Sequence, residues 1–143
     1  MPCLAEYRAR FLMQVGRYVP HASEQQRFAE VLDHFIDWSA VHATSLVHHD
    51  SGYEQHVVSF ARVVDGSVFW SAYPRMVDGA KFEITPRTAK YLNPALQDEA
   101  RALFGSISTE ALTDDGTLRV RFSALKNLTT RQRVTDLLER LLV

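Results

Sequence analysis

Cysteine is almost absent from this chain, since Cys3 is its single copy among 143 residues. One thiol excludes an internal disulfide and a zinc site built from several thiolates. A lone cysteine is typical of a reducing compartment, so we expect a cytoplasmic protein. Long apolar runs are lacking too, and charges interrupt the opening "MPCLAEYRARFLMQ". We therefore expect no membrane span, no signal peptide and no membrane partner.

An excess of charge of one sign is also lacking. Lysine and arginine number 16, aspartate and glutamate number 17, and the formal net charge is -1. This balance argues against a protein that coats nucleic acid or an anionic membrane, although it permits a local basic patch. Glycine-rich phosphate loops, a nucleophile elbow and Cys-x-x-Cys are missing as well. These absences favour a non-enzymatic function and no cofactor.

The N-terminal part has apolar residues at helical spacing. The pattern predicts one amphipathic helix over residues 4–18 and a second that begins near Ser23. Ser23 and Gln26 have the spacing of a capping box. The link between the helices is short and contains Pro20. The two segments therefore predict an antiparallel helical hairpin.

The middle of the chain changes to β-branched and aromatic residues in "QHVVSFARVV" and "SVFWSAY". Asp65-Gly66 lies between these segments and predicts a two-residue type I′ turn. The resulting register pairs Phe60 with Ser71, and it places Trp70 on the face opposite Phe60. After a second Asp-Gly corner, "KFEIT" adds the third strand of an antiparallel meander.

The C-terminal part predicts a helix, a strand and a helix. In "NPALQDEARALFG" Asn93 caps a helix that ends near Gly105. "TLRVRF" alternates as a strand does, and "TTRQRVTDLLERLLV" predicts a final amphipathic helix capped by Thr129. The whole chain, 1–143, is therefore predicted to be a single α+β domain, with 43–54 as the candidate seam. The predicted order is an N-terminal helical hairpin, a three-stranded antiparallel meander, a helix, a fourth strand and a C-terminal helix.

A basic run without any acidic residue extends from Arg119 to Arg133. Arg131 and Arg133 fall in the first turn of the last helix, where the dipole disfavours cations and favours a bound anion. Alternation turns Arg119 and Arg121 outward. We expect an anionic ligand, either a nucleic acid backbone or an acidic protein segment, although pairing with acidic residues such as Asp136 is the alternative. The predicted ligand-binding residues are Trp70, Lys81, Arg119, Arg121, Lys126, Arg131 and Arg133.

A metal-dependent hydrolase or nuclease is a second hypothesis. It would use Asp78 with Glu83, or the loop from His48 to His56, since carboxylate and imidazole bind divalent metals. However, Lys81 precedes Glu83, which reverses the usual Glu-x-Lys order, and the histidine spacing matches no helical metal motif. We therefore interpret the Asp-Gly corners as turns, the histidine segment as a solvated loop, and predict no metal site.

A homodimer is a third hypothesis. The first two helices carry more aromatic side chains than a thin domain needs to bury, which suggests an assembly surface. These residues are Tyr7, Phe11, Tyr18, Phe28, Phe35 and Trp38.

Overall fold

The computed structural model describes residues 3–50, 56–76, 79–85, 94–108, 113 and 116–142. Within these ranges the protein has four α-helices, one 3-10 helix and five strands, which confirms the α+β class. The elements in chain order are α1 (Leu4–Gly16), α2 (Ala22–Val41), β1 (Leu46–His48), β2 (Val58–Arg62), β3 (Val68–Met76), β4 (Gly79–Ile84), α3 (Pro94–Ile107), β5 (Leu118–Arg121), the 3-10 helix (Phe122–Lys126) and α4 (Leu128–Leu142).

The two N-terminal helices pack against each other, as predicted. Arg8 joins them through two hydrogen bonds, from Nε and Nη2 to the two carboxylate oxygens of Asp33, at 2.6 and 2.8 Å. The predicted cap of α2 is wrong, because the helix begins at Ala22 and its N-cap position is His21, without a side-chain cap. Ser23 therefore lies inside the first turn.

The strands form one antiparallel sheet in the order β1-β2-β3-β4-β5. The three predicted strands are its centre, β2 to β4. β5, the predicted fourth strand, pairs with β4. β1 was not predicted, and it lies inside the segment 43–54. The meander is thus longer than the sequence pattern indicated, because a three-residue strand is too short to show a clear period.

The predicted register between β2 and β3 is wrong by one residue. Phe60 pairs with Trp70, not with Ser71, and both point to the same face. The cause is the connection: Arg62 N–H donates to the carbonyl of Ser67 at 2.8 Å, so the loop has four residues and not two. Within the described residues only glycines have positive φ, so the Asp-Gly pair does not form a type I′ turn.

A β-bulge accompanies this register. Ala61 pairs with Val68 while Phe60 pairs with Trp70, which leaves Phe69 as the additional residue of β3. A bulge re-aims neighbouring side chains. Phe69 consequently stacks on Trp38 of α2, with ring centroids 6.3 Å apart.

Trp70 is at the centre of the core and has no solvent exposure. Its indole lies 5.3 Å from the ring of Phe60 and 5.7 Å from that of Phe82, and Phe35 of α2 covers it at 5.9 Å. The indole Nε1 donates to Ser39 Oγ at 2.9 Å. We call this side of the sheet the core face, and the opposite side the second face.

The aromatic residues of α1 and α2 are mostly used within the chain itself. Tyr7, Phe11, Phe28, Phe35 and Trp38 are buried in the same hydrophobic cluster as the sheet and α4. The excess of aromatic residues that motivated a homodimer is therefore taken up by the core.

α4 completes the core with buried Val134, Leu137, Leu138 and Leu141. Its predicted cap is wrong by two residues, because Asn127 Oδ1 accepts a hydrogen bond from the backbone N–H of Thr130 at 3.0 Å. Among the helices in the described part of the chain, none combines the length and apolar character needed to cross a membrane.

Candidate anion-binding surface

The seven predicted ligand-binding residues do not form one surface. They lie at four places: the core, the second face of the sheet, the 3-10 helix and α4. In that order they are Trp70; Lys81, Arg119 and Arg121; Lys126; and Arg131 with Arg133.

The predicted register would place Trp70 on the outward side of the sheet, with packing under a helix as the alternative, and the structure shows the second arrangement. The bulge and the four-residue loop turn its side chain to the core face, where it is fully buried and hydrogen-bonded to Ser39. A base or other planar ligand cannot stack on a ring that is enclosed in this way.

The second face carries two cross-strand pairs of charged residues. Glu83 pairs with Arg119, and Arg119 Nε donates to Glu83 Oε2 at 2.9 Å. Lys81 lies directly opposite Arg121. Arg121 is exposed, whereas Lys81 is only 8% exposed. Two positively charged side chains thus occupy adjacent positions on β4 and β5.

An aromatic residue continues the same row across the sheet, because Tyr73 of β3 is the partner of Lys81. We call Tyr73, Lys81 and Arg121 the basic row. A phenol ring, an ammonium and a guanidinium thus occupy adjacent positions on three neighbouring strands. This arrangement brings together a stacking surface and groups that bind oxyanions.

Lys126 is used to join two elements. Its Nζ donates to Glu24 Oε2 at 2.7 Å and lies 5.7 Å from the ring centroid of Phe28, both on α2. The hydrogen bond from Lys126 is the main cause that holds the pKa of Glu24 below its usual value. Lys126 therefore links the 3-10 helix to α2.

Arg131 is a structural residue. It is 8% exposed, and its Nε donates to the carbonyl of Leu125 at 2.8 Å while Nη2 reaches the carbonyl of Lys126 at 3.5 Å. These are carbonyls at the end of the 3-10 helix, which lack partners within that helix. The position of Arg131 in the first turn of α4 is thus explained by its hydrogen bonds to the preceding 3-10 helix and not by a ligand.

Arg133 lies two residues further on the exposed side of α4. It lines a groove of about 350 Å³ between α3 and α4, together with Glu99, Asp136 and Arg140. Arg140 is already paired with Glu99. The groove contains both positively and negatively charged side chains. Arg133 therefore does not continue the positively charged surface of the basic row.

The metal hypothesis gains no support from the described residues, where no three histidine, cysteine, aspartate or glutamate side chains gather at one point. Glu83 is engaged by Arg119, and Asp78 lies outside the described residues. His48 belongs to β1 and packs edge-on against Tyr7, at 4.7 Å between ring centroids. Its segment is thus part of the fold up to Asp50, whose carboxylate accepts a hydrogen bond from the Tyr7 hydroxyl.

Two residues have unusual surroundings: His48, which the sequence offered only as a metal ligand, and Arg62, which it did not offer as a site residue. His48 Nε2 and Arg62 Nη1 are buried and have no hydrogen-bond partner among the described residues. A signal existed for Arg62, because it alternates with Val58 and Phe60 and therefore falls on the core face of β2. His48 gave no comparable signal, because β1 itself could not be recognised.

Two half-buried histidines predict how stability depends on pH. Burial is the main cause that lowers the pKa of His34 and of His48 below 6.5, with Arg131 adding to the effect at His34 and Asp50 opposing it at His48. Well above pH 6.5 both imidazoles are neutral in the folded chain and in the unfolded chain. As the pH falls below this value, the unfolded chain binds protons first, so the free energy of unfolding decreases.

Urea denaturation at about pH 7.5 and at about pH 5.5 measures this effect. We expect lower stability at the acidic value, and a smaller difference in the double variant His34→Gln/His48→Gln. Stability that is constant or higher at the acidic value would contradict the burial of neutral histidines.

The fold and this surface define a class: an α+β protein with a five-stranded antiparallel meander, helices packed on its core face, and a basic row on its second face. Comparisons with models of protein families, with curated proteins and with solved structures find no match to the chain.

Proposed function

We propose that this chain is a non-enzymatic binding module that recognises an anionic ligand through a local basic patch, the basic row of the sheet. The observation that carries the proposal is the exposed guanidinium of Arg121 at the end of a row that continues through Lys81 to Tyr73. Arg121 is exposed and can donate to an anion in solution, and the mostly buried Lys81 adds positive charge beside it.

A nucleic acid backbone is the ligand that this row favours over an acidic protein segment. Guanidinium groups bind phosphate through two parallel hydrogen bonds, and an ammonium adds a point charge. Tyr73 adds an aromatic ring at the next position, as in surfaces that bind single strands. Arg119 lies beside the row, although Glu83 partly neutralises it. We place this function in the cytoplasm, because the single cysteine is a free thiol.

Binding of labelled oligonucleotides over a salt series tests the proposal. We expect single strands to bind at low salt, and Arg121→Gln to weaken binding and reduce the salt slope by about 0.7, the value for one phosphate contact. Arg101→Gln on the exposed side of α3 is the matched control and should leave both unchanged.

Three outcomes decide the matter. Absence of binding at low salt, or equal weakening by Arg101→Gln, would contradict the proposal. A preference for a polyglutamate peptide over oligonucleotides would assign the basic row to acidic protein segments instead. A double variant of Arg131 and Arg133 is unsuitable for this test, because Arg131 supports the fold.

A further inference from the structure

Two buried nitrogen atoms on neighbouring strands lack hydrogen-bond partners among the described residues. They are Nε2 of His48 on β1 and Nη1 of Arg62 on β2. Buried polar groups in native proteins almost always have a partner, and each exception calls for an explanation such as an ion or ligand. Two exceptions on paired strands indicate a common cause.

The sheet register brings the two residues together. Leu46 pairs with Arg62 and His48 pairs with Phe60, so His48 and Arg62 occupy diagonal positions. Side chains alternate between the two faces of a strand, so His48 and Arg62 both lie on the same side of the sheet as Phe60, the core face. Diagonal neighbours are within reach of each other when one side chain is long. β1 is an edge strand of the sheet, so the pair lies at the border of the core and not at its centre.

Among the described residues, two acidic groups near the pair are engaged elsewhere. Asp50 faces His48 and accepts a hydrogen bond from the Tyr7 hydroxyl of α1. Asp65 faces Arg62 and accepts hydrogen bonds from the backbone N–H and the hydroxyl of Ser67, at 2.9 and 2.6 Å. Neither carboxylate is hydrogen-bonded to the two unpartnered nitrogen atoms.

We propose that Arg62 and His48 form a binding site for an oxyanion, the carboxylate or phosphate group of a small ligand, at the β1–β2 edge. The guanidinium donates to the anion through Nη1, and the protonated imidazole donates through Nε2. This site is distinct from the basic row, which lies on the opposite face of the sheet. The protein would thus bind a small oxyanion at this site in addition to the ligand of the basic row.

Binding at this site is linked to proton uptake. The groups that face His48 are Asp50, His49 and Tyr7, together with Arg62 across the strands. Burial keeps the pKa of His48 low in the free protein. A bound oxyanion stabilises the imidazolium, so it raises that pKa, and the anion in turn binds more tightly as the pH falls.

NMR titration of the His48 ring with inorganic phosphate, and separately with acetate, tests the site. We expect at least one anion to raise the pKa of His48 by about 1 unit, which corresponds to about tenfold tighter binding to the protonated form. The shift should vanish in Arg62→Gln and persist in Arg101→Gln. A His48 pKa that neither anion moves, or an equal shift in Arg62→Gln, overturns the proposal.

Thermal melting provides a second measurement that does not depend on the histidine. Arg62→Met removes the unpartnered nitrogen, so without oxyanion its Tm should exceed that of the unaltered protein. The anion that moves the His48 pKa should then raise the Tm of the unaltered protein but not that of Arg62→Met. Equal anion shifts in both proteins, or a lower Tm of Arg62→Met in every condition, overturn the site.

Discussion

Replacing Trp70 by alanine is expected to lower the free energy of unfolding by about 3–5 kcal/mol. The indole is fully buried and packs against the rings of Phe35, Phe60 and Phe82. These rings belong to α2 and to the strands on either side of β3. Its loss would leave a cavity at the point where α2 meets the sheet. Equilibrium urea or guanidinium denaturation measures the change.

Trp70→Phe is the control for this prediction. It keeps a ring in the core but removes the Nε1 donor to Ser39 Oγ, so its effect should be clearly smaller than that of alanine. If Trp70→Ala were destabilising by less than about 1 kcal/mol, an average effect for any substitution, the ring would not be central to the core. The register of β2 and β3 would then need revision.

Replacing Arg131 by alanine is expected to lower the free energy of unfolding by about 2–3 kcal/mol. The guanidinium is the hydrogen-bond donor to the carbonyls of Leu125 and Lys126, and it is nearly buried. Without it, two carbonyls at the end of the 3-10 helix lose a charged donor. The packing of α4 against that helix would weaken with them.

Arg133→Ala is a matched control, because it removes the same side chain two residues away on the same helix. Arg133 is exposed, so its replacement should change stability by no more than about 0.5 kcal/mol. Equal losses in the two variants would show that both arginines act in the same way. The distinction between a structural and a surface arginine would then be wrong.

The extent of the secondary structure was largely predictable. The helical spacing of Tyr7, Phe11 and Val15 describes the buried side of α1, and the alternation of Leu118 and Val120 describes the core face of β5. Each pattern depends on the period of one element, so a local segment contains it. The caps were less predictable, since the capping hydrogen bond of α4 comes from Asn127 and not from Thr129.

The candidate site was predictable only in part. Lys81 and Arg121 were both named from the sequence, but their pairing required the order of β4 and β5. Arg62 was not named as a site residue, because its alternation places it on the core face but its neighbour His48 belongs to a strand of three residues that could not be recognised. Arg131 was interpreted as a ligand-binding residue, because its partner carbonyls are backbone atoms and leave no trace in the residue types.

The sequence by itself determined the α+β class, the principal helices and the four longer strands, because the period of apolar residues follows directly from the geometry of each element. Tertiary structure alone decided which face the residues of β3 occupy relative to those of β2. A side chain changes face with every residue, so the four-residue loop and the bulge at Phe69 reverse the position of Trp70. Tertiary structure also decided the roles of the basic residues. The atoms beside a charged side chain determine whether it can bind a ligand or stabilises the fold.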